Sequence, residues 1–345
     1  MKKAIVAILT AGTIATFSGT GTFAAVDVNN VVIPEYTTVD YETEFVSTLD
    51  AIDDLKTPCE EQGTIVSMSY TAPTYAINEM LDKDETIDKT LQVYLPYGYD
   101  ESKQYNILYL LHGTGGKDTY WFFDAEPDTT QNVLDNMIQQ GLCEPLIVVT
   151  PEYPSELKGK ENKIKDEMAE AYAKEHNDSF ISVRNDLWTE FFGYELRNDI
   201  MPLVESEYST YAGGDVSEES MIASRNHRAL AGLSRGSMAT LRAGLIMNRD
   251  EIGWFGNYSG AFTDFEKLQE SFVNNEYHVN YWYNGTGTAD FAAEDHLNFH
   301  NQVMENMQDE FTDGVNYAMV VKEEGAHDYA NWITDLYNSL LVFFK

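Results

Sequence analysis

The sequence has 345 residues, of which 43% are hydrophobic and 13% aromatic, so it can bury a large core and lacks the composition of a disordered chain. Acidic side chains number 57 against 22 basic ones, which gives a formal net charge of −35. That charge repels nucleic acid, anionic membrane surfaces and acidic polysaccharides, whereas a neutral ligand meets no such repulsion.

The N-terminal residues have the pattern of a secretory signal peptide. Lys2 and Lys3 precede a largely apolar run over residues 4–17, and small residues lead up to residues 24–25. We therefore predict a signal peptide over residues 1–25 and a secreted, extracellular protein. No later apolar run approaches the roughly 18 residues of a membrane span, so we expect no membrane contact.

Residues 26–63 are acidic and show no strong periodicity, which predicts an N-terminal arm or linker ahead of a single domain over residues 64–345. The chain has two cysteines, Cys59 and Cys143. At most one intramolecular disulfide is therefore possible, and the sequence leaves their pairing open.

The first half of this domain alternates strand and helix patterns. Two strands are predicted over residues 65–70 and 89–96, with a polar turn between them. Near-continuous apolar runs over residues 105–111 and 146–150 are typical of buried strands in a parallel sheet. The helical spacing over residues 130–140 between these runs implies a right-handed crossover.

The rest of the domain continues the alternation. Residues 151–190 form a long insertion that either shapes a pocket or is a surface excursion. A helix kinked at Pro202 is predicted over residues 194–208. The remaining predicted elements are strands over residues 254–260, 278–284 and 317–322 and a closing helix over residues 332–344. This pattern predicts an α/β fold with a mostly parallel, doubly wound sheet.

The Gly-x-Ser-x-Gly pentapeptide at residues 232–236 is the most informative motif, with Ser234 at its centre. A short apolar run enters it and a helical pattern of small and apolar residues leaves it. Strand, sharp turn and helix in that order form the turn that exposes a serine nucleophile at the carboxyl end of a central strand. The pattern therefore predicts Ser234 as a nucleophile.

A serine nucleophile needs a histidine base and an orienting carboxylate, which in such a sheet follow in the order serine, acid, histidine. His296, His300 and His327 all follow Ser234 at a suitable distance, and we favour His327 because it comes just after the last predicted strand. His296 and His300 are four residues apart and could share a metal ion, but no third ligand is apparent. We predict no metal and no cofactor.

Asp290 is the first carboxylate past the strand predicted over residues 278–284, so we expect it to be the acid, with Glu294 as the next choice. The oxyanion hole is predicted from the backbone N–H groups of Arg235, after the nucleophile, and Thr114, in the glycine turn at residues 112–116.

An aromatic cluster follows the glycine turn. Trp121 and Phe122, with Phe123 beside them, are candidates for binding an aromatic acyl group, and core packing is the alternative.

Four segments together resemble the feruloyl esterase branch of carbohydrate esterase family 1, within the esterase D-like α/β-hydrolases. They cover residues 93–100, 110–116, 228–236 and 325–328. The resemblance runs from about residue 64 to the C terminus. It implies an α/β-hydrolase fold, a triad of Ser234, Asp290 and His327, and hydrolysis of hydroxycinnamoyl esters on arabinoxylan. The implied partner is plant cell-wall polysaccharide that bears esterified phenolic acids.

Two departures from the family bear on acyl specificity. Relatives often carry Met or Gln at the position of Arg235 and Gly at that of Ser237, and residues 151–190 are longer than usual. An acetyl xylan or other short-chain acyl esterase therefore stays open, as does an acyltransferase of the same superfamily. A non-catalytic binding protein on this scaffold is disfavoured because serine, acid and histidine are all present. The sequence gives neither the preferred acyl group nor the oligomeric state.

Overall fold

The computed structural model describes residues 44–152, 171–172, 174–175, 191–260, 265–273 and 275–345. The predicted signal peptide lies outside these residues, as does most of the insertion predicted over residues 151–190.

Within the described residues, eight strands form one sheet in the order β1-β2-β4-β3-β5-β6-β7-β8. The strands are β1 (Thr64–Pro73), β2 (Thr86–Leu95), β3 (Asn106–Leu111), β4 (Leu146–Pro151), β5 (Arg228–Leu233), β6 (Trp254–Tyr258), β7 (Tyr281–Gly287) and β8 (Tyr317–Lys322). Strand β2 runs antiparallel to both β1 and β4, and the strands from β4 to β8 are parallel. The predicted mostly parallel α/β sheet is confirmed, and the carboxyl ends of β3 and β5 to β8 meet at one edge.

Helices cover both faces of this sheet. They are α1 (Tyr75–Leu81), α2 (Thr129–Gln139), α3 (Met201–Glu207), α4 (Glu218–Ala223), α5 (Arg235–Ala239), α6 (Phe265–Ser271), α7 (Ala293–Asn306) and α8 (Tyr329–Leu340). Two hydrophobic clusters result, one with α2 and α8 and the other with α3 and α7. Strand β3 supplies both clusters, because Leu108 and Leu110 face one and Ile107, Tyr109 and Leu111 face the other.

Several element bounds differ from the sequence prediction. The predicted polar turn between the first two strands is helix α1, because Ala76 and Ile77 are fully buried and give it an apolar face. Strand β7 begins at Tyr281, three residues later than predicted. Helix α8 begins at Tyr329, three residues earlier than predicted, where the Asp328 side chain accepts the amide of Asn331 and caps it.

The helix predicted over residues 194–208 is present, within a continuous helical run over residues 191–207. A π-helical turn spans Leu196–Ile200, and α3 begins directly after it with Pro202 in its first turn. Because the backbone of Ile200 is already helical, Pro202 lies inside this run and directly beyond the π-helical turn, and both features are recognised causes of helix kinks.

The described part of the N-terminal arm lies against the domain. A 3₁₀ helix at Leu49–Lys56 buries Ile52 and Leu55 in the α2 and α8 cluster. The backbone of Val46 forms hydrogen bonds in both directions with the Asn338 side chain, at 3.0 and 2.9 Å. Residues 44–63 thus share the core of the domain.

Cys59 and Cys143 are not bonded to each other. Of the helices in the described ranges, none is both long and apolar enough to cross a membrane.

Candidate active site

Ser234 sits at the turn between β5, which ends at Leu233, and α5, which begins at Arg235. Its backbone has φ 53° and ψ −117°, a positive φ that is unfavourable for a residue with a side chain. The turn is tight because the strand and the helix pack closely against the end of β3 and His112. A Cβ atom on Gly236 would lie 2.3 Å from the backbone oxygen of His112, so only glycine fits there.

The structure brings together the three residues of the predicted triad. The Nε2 atom of His327 lies 2.9 Å from Oγ of Ser234, and its Nδ1 atom lies 2.8 Å from Oδ1 of Asp290. The carboxylate can only accept a hydrogen bond, so Nδ1 of His327 carries the ring proton and Nε2 is the acceptor of the Ser234 hydroxyl. Serine, base and acid form one hydrogen-bonded line.

Asp290 is held as a carboxylate in a buried position. Burial by itself raises its pKa, but hydrogen bonds from His327, from Ser259 and from the amide of Ala292 outweigh burial and keep the pKa below its usual value. The amide of Ala292 lies 2.8 Å from Oδ1. Asp290 is therefore negatively charged at neutral pH, as stabilisation of a protonated His327 requires.

Ser259 supports Asp290, and the sequence analysis did not identify it. It follows β6, is almost fully buried and has a φ of 52°. Its oxygen accepts hydrogen bonds from Nε1 of Trp332 at 2.9 Å and from Nδ2 of Asn331 at 3.3 Å. With two donors already on the oxygen, the hydroxyl proton can point towards the Asp290 carboxylate, whose pKa Ser259 lowers. The Trp332 ring also packs edge-on against the His327 ring, with centroids 5.0 Å apart.

The two predicted oxyanion donors belong to Arg235, the residue after Ser234, and to Thr114 in the glycine turn. The amide of Arg235 is the first in α5 and has no intrahelical acceptor. Thr114 follows Gly113, where a Cβ atom would lie 3.1 Å from Cβ of Ser234 and 2.7 Å from Cδ1 of Leu233. The absence of a side chain at Gly113 thus lets the glycine turn approach the nucleophile closely.

His112 is a buried neutral histidine beneath this turn. Burial lowers its pKa to about 4, although its hydrogen bond to Gly113 acts in the opposite direction. Its Nδ1 atom lies 2.7 Å from the backbone oxygen of Gly113 and donates to it. This contact ties the turn to the end of β3.

Trp121 and Phe122 do not line an open surface. Both are fully buried in the α2 and α8 cluster, and Trp121 donates from Nε1 to the backbone oxygen of Leu111 at 3.2 Å. The prediction that these two side chains bind substrate is wrong for this structure, because neither has surface for a ligand to contact. Phe123 is 45% exposed.

The sequence also contains three other candidates for the site, His296, His300 and Glu294. His296 is buried, with Nε2 3.1 Å from Oδ1 of Asn284, and His300 has Nδ1 3.2 Å from the Tyr317 hydroxyl. Glu294 is exposed in the first turn of α7. The described residues contain no group of three or more His, Cys, Asp or Glu side chains arranged to hold a metal ion.

This geometry suits nucleophilic attack on a carbonyl carbon. His327 is placed to take the Ser234 proton and Asp290 to stabilise the imidazolium, and the amides of Arg235 and Thr114 stay the predicted donors to a developing oxyanion. The arrangement needs neither metal nor cofactor for that chemistry.

Comparison with known proteins places these features in a family context. The Esterase family model, described as Putative esterase, matches residues 86–260, about half of the chain. Endo-1,4-beta-xylanase Y of Acetivibrio thermocellus is 34% identical over 212 residues. That alignment covers 61% of this chain but 16% of the relative, so the chain spans about a sixth of that protein's length.

Two solved structures show the same fold over most of the chain. One is a serine-to-alanine mutant of the feruloyl esterase module from Clostridium thermocellum complexed with sinapinate, with 27% identity and a TM-score of 0.64. The match covers 88% of this chain and 96% of that module. The other is a ferulic acid esterase from Anaeromyces mucronatus, with 21% identity, a TM-score of 0.64 and coverage of 88% and 98%. At that identity the second likeness supports the fold alone.

Proposed function

The chain belongs to the Esterase family, and we propose that it is a secreted serine esterase that cleaves feruloyl-type hydroxycinnamoyl esters on plant cell-wall polysaccharide such as arabinoxylan. The observation that carries this proposal is the hydrogen-bonded line from Ser234 through His327 to Asp290, with distances of 2.9 and 2.8 Å. That line sits at the carboxyl edge of a mostly parallel sheet, where hydrolases of this fold have their catalytic residues.

The first half of the reaction forms an acyl-enzyme. His327 takes the hydroxyl proton as Oγ of Ser234 bonds to the ester carbonyl carbon, and the carbonyl oxygen becomes an oxyanion. The amides of Thr114 and Arg235 donate to that oxyanion, and each is worth roughly 3 kcal/mol of the barrier. As the intermediate collapses, the bond to the alcohol oxygen breaks and protonated His327 gives that oxygen its proton.

The second half releases the acid. Water replaces the alcohol, and His327 removes its proton as it attacks the acyl carbon on Ser234. Collapse of the second intermediate breaks the bond to Oγ, which regains a proton from His327. Asp290 stays ionised throughout, and the general base contributes roughly a hundredfold to ten-thousandfold in rate.

Two observations support the acyl class and the substrate. The solved feruloyl esterase module that this chain resembles at 27% identity is complexed with sinapinate, a hydroxycinnamate. The relative from Acetivibrio thermocellus is named as a xylanase. A neutral arabinoxylan ester also meets no repulsion from a chain with a net charge of −35.

The proposal that the protein is secreted rests on its N-terminal sequence. The positive, apolar and small-residue segments of residues 1–25 are typical of a signal peptide. N-terminal sequencing of protein from the medium of an expressing bacterial host tests the predicted cleavage after about residue 25. An unprocessed, cell-associated chain would contradict it.

The decisive experiment measures release of free acid from methyl ferulate and from 4-nitrophenyl acetate by wild type, Ser234→Ala and Ser206→Ala. Ser206 is an exposed serine on α3 and serves as the matched control. We expect ferulate release by wild type and Ser206→Ala and none above background by Ser234→Ala. Acetate release without ferulate release would favour the short-chain esterase, and turnover only with an added alcohol acceptor would favour the acyltransferase. Ferulate release by well-folded Ser234→Ala would remove Ser234 from its proposed role.

A further inference from the structure

Phe291 follows Asp290 directly, yet its side chain points away from the core. It is 80% exposed, more than any other large hydrophobic side chain in the described part of the chain. Its ring lies on the ring of His327, with centroids 4.1 Å apart and planes inclined by 36°. Trp332 occupies another side of the same imidazole, at 5.0 Å and 88°. One side of the histidine thus meets a buried indole and another an exposed phenyl group.

The position of the three groups around the reacting carbon indicates which part of the ester lies beside Phe291. The tetrahedral carbon on Ser234 carries three groups besides Oγ: the oxyanion, the acyl chain and the alcohol oxygen. The oxyanion points to the amides of Thr114 and Arg235. The alcohol oxygen must come within about 3 Å of Nε2 of His327, because that nitrogen gives it a proton. A ring that lies on His327 is therefore beside the alcohol, not beside the acyl chain.

We propose that Phe291 forms the apolar wall of the leaving-alcohol subsite and packs on the face of the sugar ring that carries the acyl group. The proposal rests on the function proposed above and specifies its alcohol as a neutral pentose with an apolar C–H face. Binding sites for small molecules combine aromatic walls of this kind with a few polar groups. An exposed phenyl ring gains little from the core, so covering it with a sugar buries apolar surface that is otherwise left in water.

A plain structural role predicts a different result. If Phe291 only shielded His327 from water, its loss would reduce the rate equally for all alcohols, since every ester uses the same imidazole. If it binds the alcohol, its loss raises KM for esters of a sugar and changes little for esters of methanol, which is too small to cover the ring. The alcohol dependence of KM separates the two roles.

The test therefore uses two esters with one acyl group, feruloyl arabinose and methyl ferulate, with wild type, Phe291→Ala and Phe291→Tyr. We expect Phe291→Ala to lose about tenfold in kcat/KM on feruloyl arabinose, mainly through KM, and less than about twofold on methyl ferulate. Phe291→Tyr, which keeps an aromatic face, should stay within about threefold of wild type on both esters. Tyr97→Ala is the matched control, because Tyr97 is 57% exposed and follows β2 at the opposite edge of the sheet.

Equal losses on the two esters, or no loss on either, would overturn the proposal. If wild type cleaves neither feruloyl ester, the proposed acyl class fails, and acetyl arabinose and ethyl acetate repeat the same comparison of alcohols. A selective loss on the acetylated sugar would then keep the alcohol subsite with a different acyl group. Absence of turnover on all four esters would overturn both proposals.

Discussion

The Nδ1 atom of His327 lies 2.8 Å from Oδ1 of Asp290, although the two residues are 37 positions apart in the sequence. They come from the loops that follow β8 and β7, which are parallel neighbours with paired residues from Trp282 and Tyr317 onward. Parallel strands place their carboxyl ends at one edge, so adjacent loops meet there. This pairing fixes which histidine nitrogen faces Ser234.

Replacing Asp290 by asparagine tests that role. The amide is nearly isosteric but neutral, so it no longer stabilises the imidazolium or enforces the tautomer in which Nε2 is free to accept. We expect Asp290→Asn to reduce kcat by roughly 10³- to 10⁴-fold, with KM changed far less. Ester hydrolysis under saturating substrate measures both constants.

Glu294→Gln is the matched control. Glu294 is exposed in the first turn of α7, and its substitution removes the same charge from the same region. We expect it to retain full activity. If Glu294→Gln were inactive and Asp290→Asn active, the acid would be Glu294.

Ser259 allows a second, finer test of the same carboxylate. In Ser259→Ala the hydroxyl donor is lost while the two donors on it, Trp332 and Asn331, lose their acceptor. A hydrogen bond to a charged group is worth about 1.5–3 kcal/mol, so we expect kcat to fall roughly 10- to 100-fold with little change in KM. Trp332→Phe keeps a ring against His327 but removes the Nε1 donor, and should give a smaller loss of the same kind.

The pH dependence of stability separates support of Asp290 from general damage. Asp290 has a lowered pKa in the folded protein, so it stabilises the fold above the ordinary aspartate pKa and loses that contribution as pH falls through the folded value. Ser259→Ala raises the folded pKa towards normal and so reduces this contribution. The difference in unfolding free energy between wild type and variant should shrink below about pH 4. A difference that stays constant down to pH 3 would contradict support of the carboxylate.

The limits of sequence reasoning are visible at particular residues. Chain order in a parallel sheet restricts where a serine, an acid and a histidine can meet, so the sequence predicts that Ser234, Asp290 and His327 lie together, as they do, and the mostly parallel fold is confirmed. Trp121 and Phe122 were assigned wrongly because an aromatic run after a glycine turn has the same pattern whether it packs inwards or outwards. Burial decides between the two, and only the tertiary structure gives burial.

Two supporting residues had no sequence signal at all. Ser259 is one small polar residue past a strand, and only the three-dimensional contacts with Trp332 and Asp290 give it a role. The hydrophobicity of Phe291 predicts a core residue, yet its side chain is 80% exposed. Such roles depend on side-chain direction, which strand and helix patterns do not determine for loop residues.

Gly113 provides a test of the oxyanion turn. In Gly113→Ala the new Cβ atom meets Cδ1 of Leu233 at 2.7 Å and Cβ of Ser234 at 3.1 Å, so the turn must shift away from the nucleophile. A shift of this kind weakens the amide of Thr114 as a donor, and we expect kcat to fall roughly 10- to 100-fold. Overpacking costs about 1–3 kcal/mol of unfolding free energy, measured by urea denaturation.

The control is Gly141→Ala, at a positive φ of 69° where a Cβ atom contacts nothing within 4 Å. It should lose about 1 kcal/mol of stability through backbone strain but no activity. Unchanged kcat in Gly113→Ala would show that the turn tolerates the methyl group and that its closeness to Ser234 is not needed for the rate.

Because His296 is buried and neutral, we expect it to cause a specific loss of folding stability at acid pH. The Gly260 amide donates to its Nδ1 at 3.3 Å, so the ring proton is on Nε2, which donates to Oδ1 of Asn284. Burial lowers the pKa of His296 to about 3, with the Lys322 charge acting in the same direction. The unfolded chain, with an ordinary pKa near 6.5, binds a proton between about pH 6.5 and 3 that the folded chain does not bind. Folding stability must therefore fall as pH drops through that window, by up to about 1.4 kcal/mol per pH unit for this one group.

His296→Gln removes the titrating group, and urea unfolding between pH 7 and 4 measures the result. We expect the unfolding free energy of the variant to fall less steeply with decreasing pH than that of wild type, by roughly one proton's slope between pH 5.5 and 4. The difference between the two unfolding free energies cancels the contributions of other groups that titrate in this window, such as His112 and Glu251. His278→Gln is the control for loss of a surface histidine, because the His278 side chain is 60% exposed. Parallel curves for wild type and His296→Gln would mean that His296 accepts its proton in the folded state, contrary to its buried, neutral assignment.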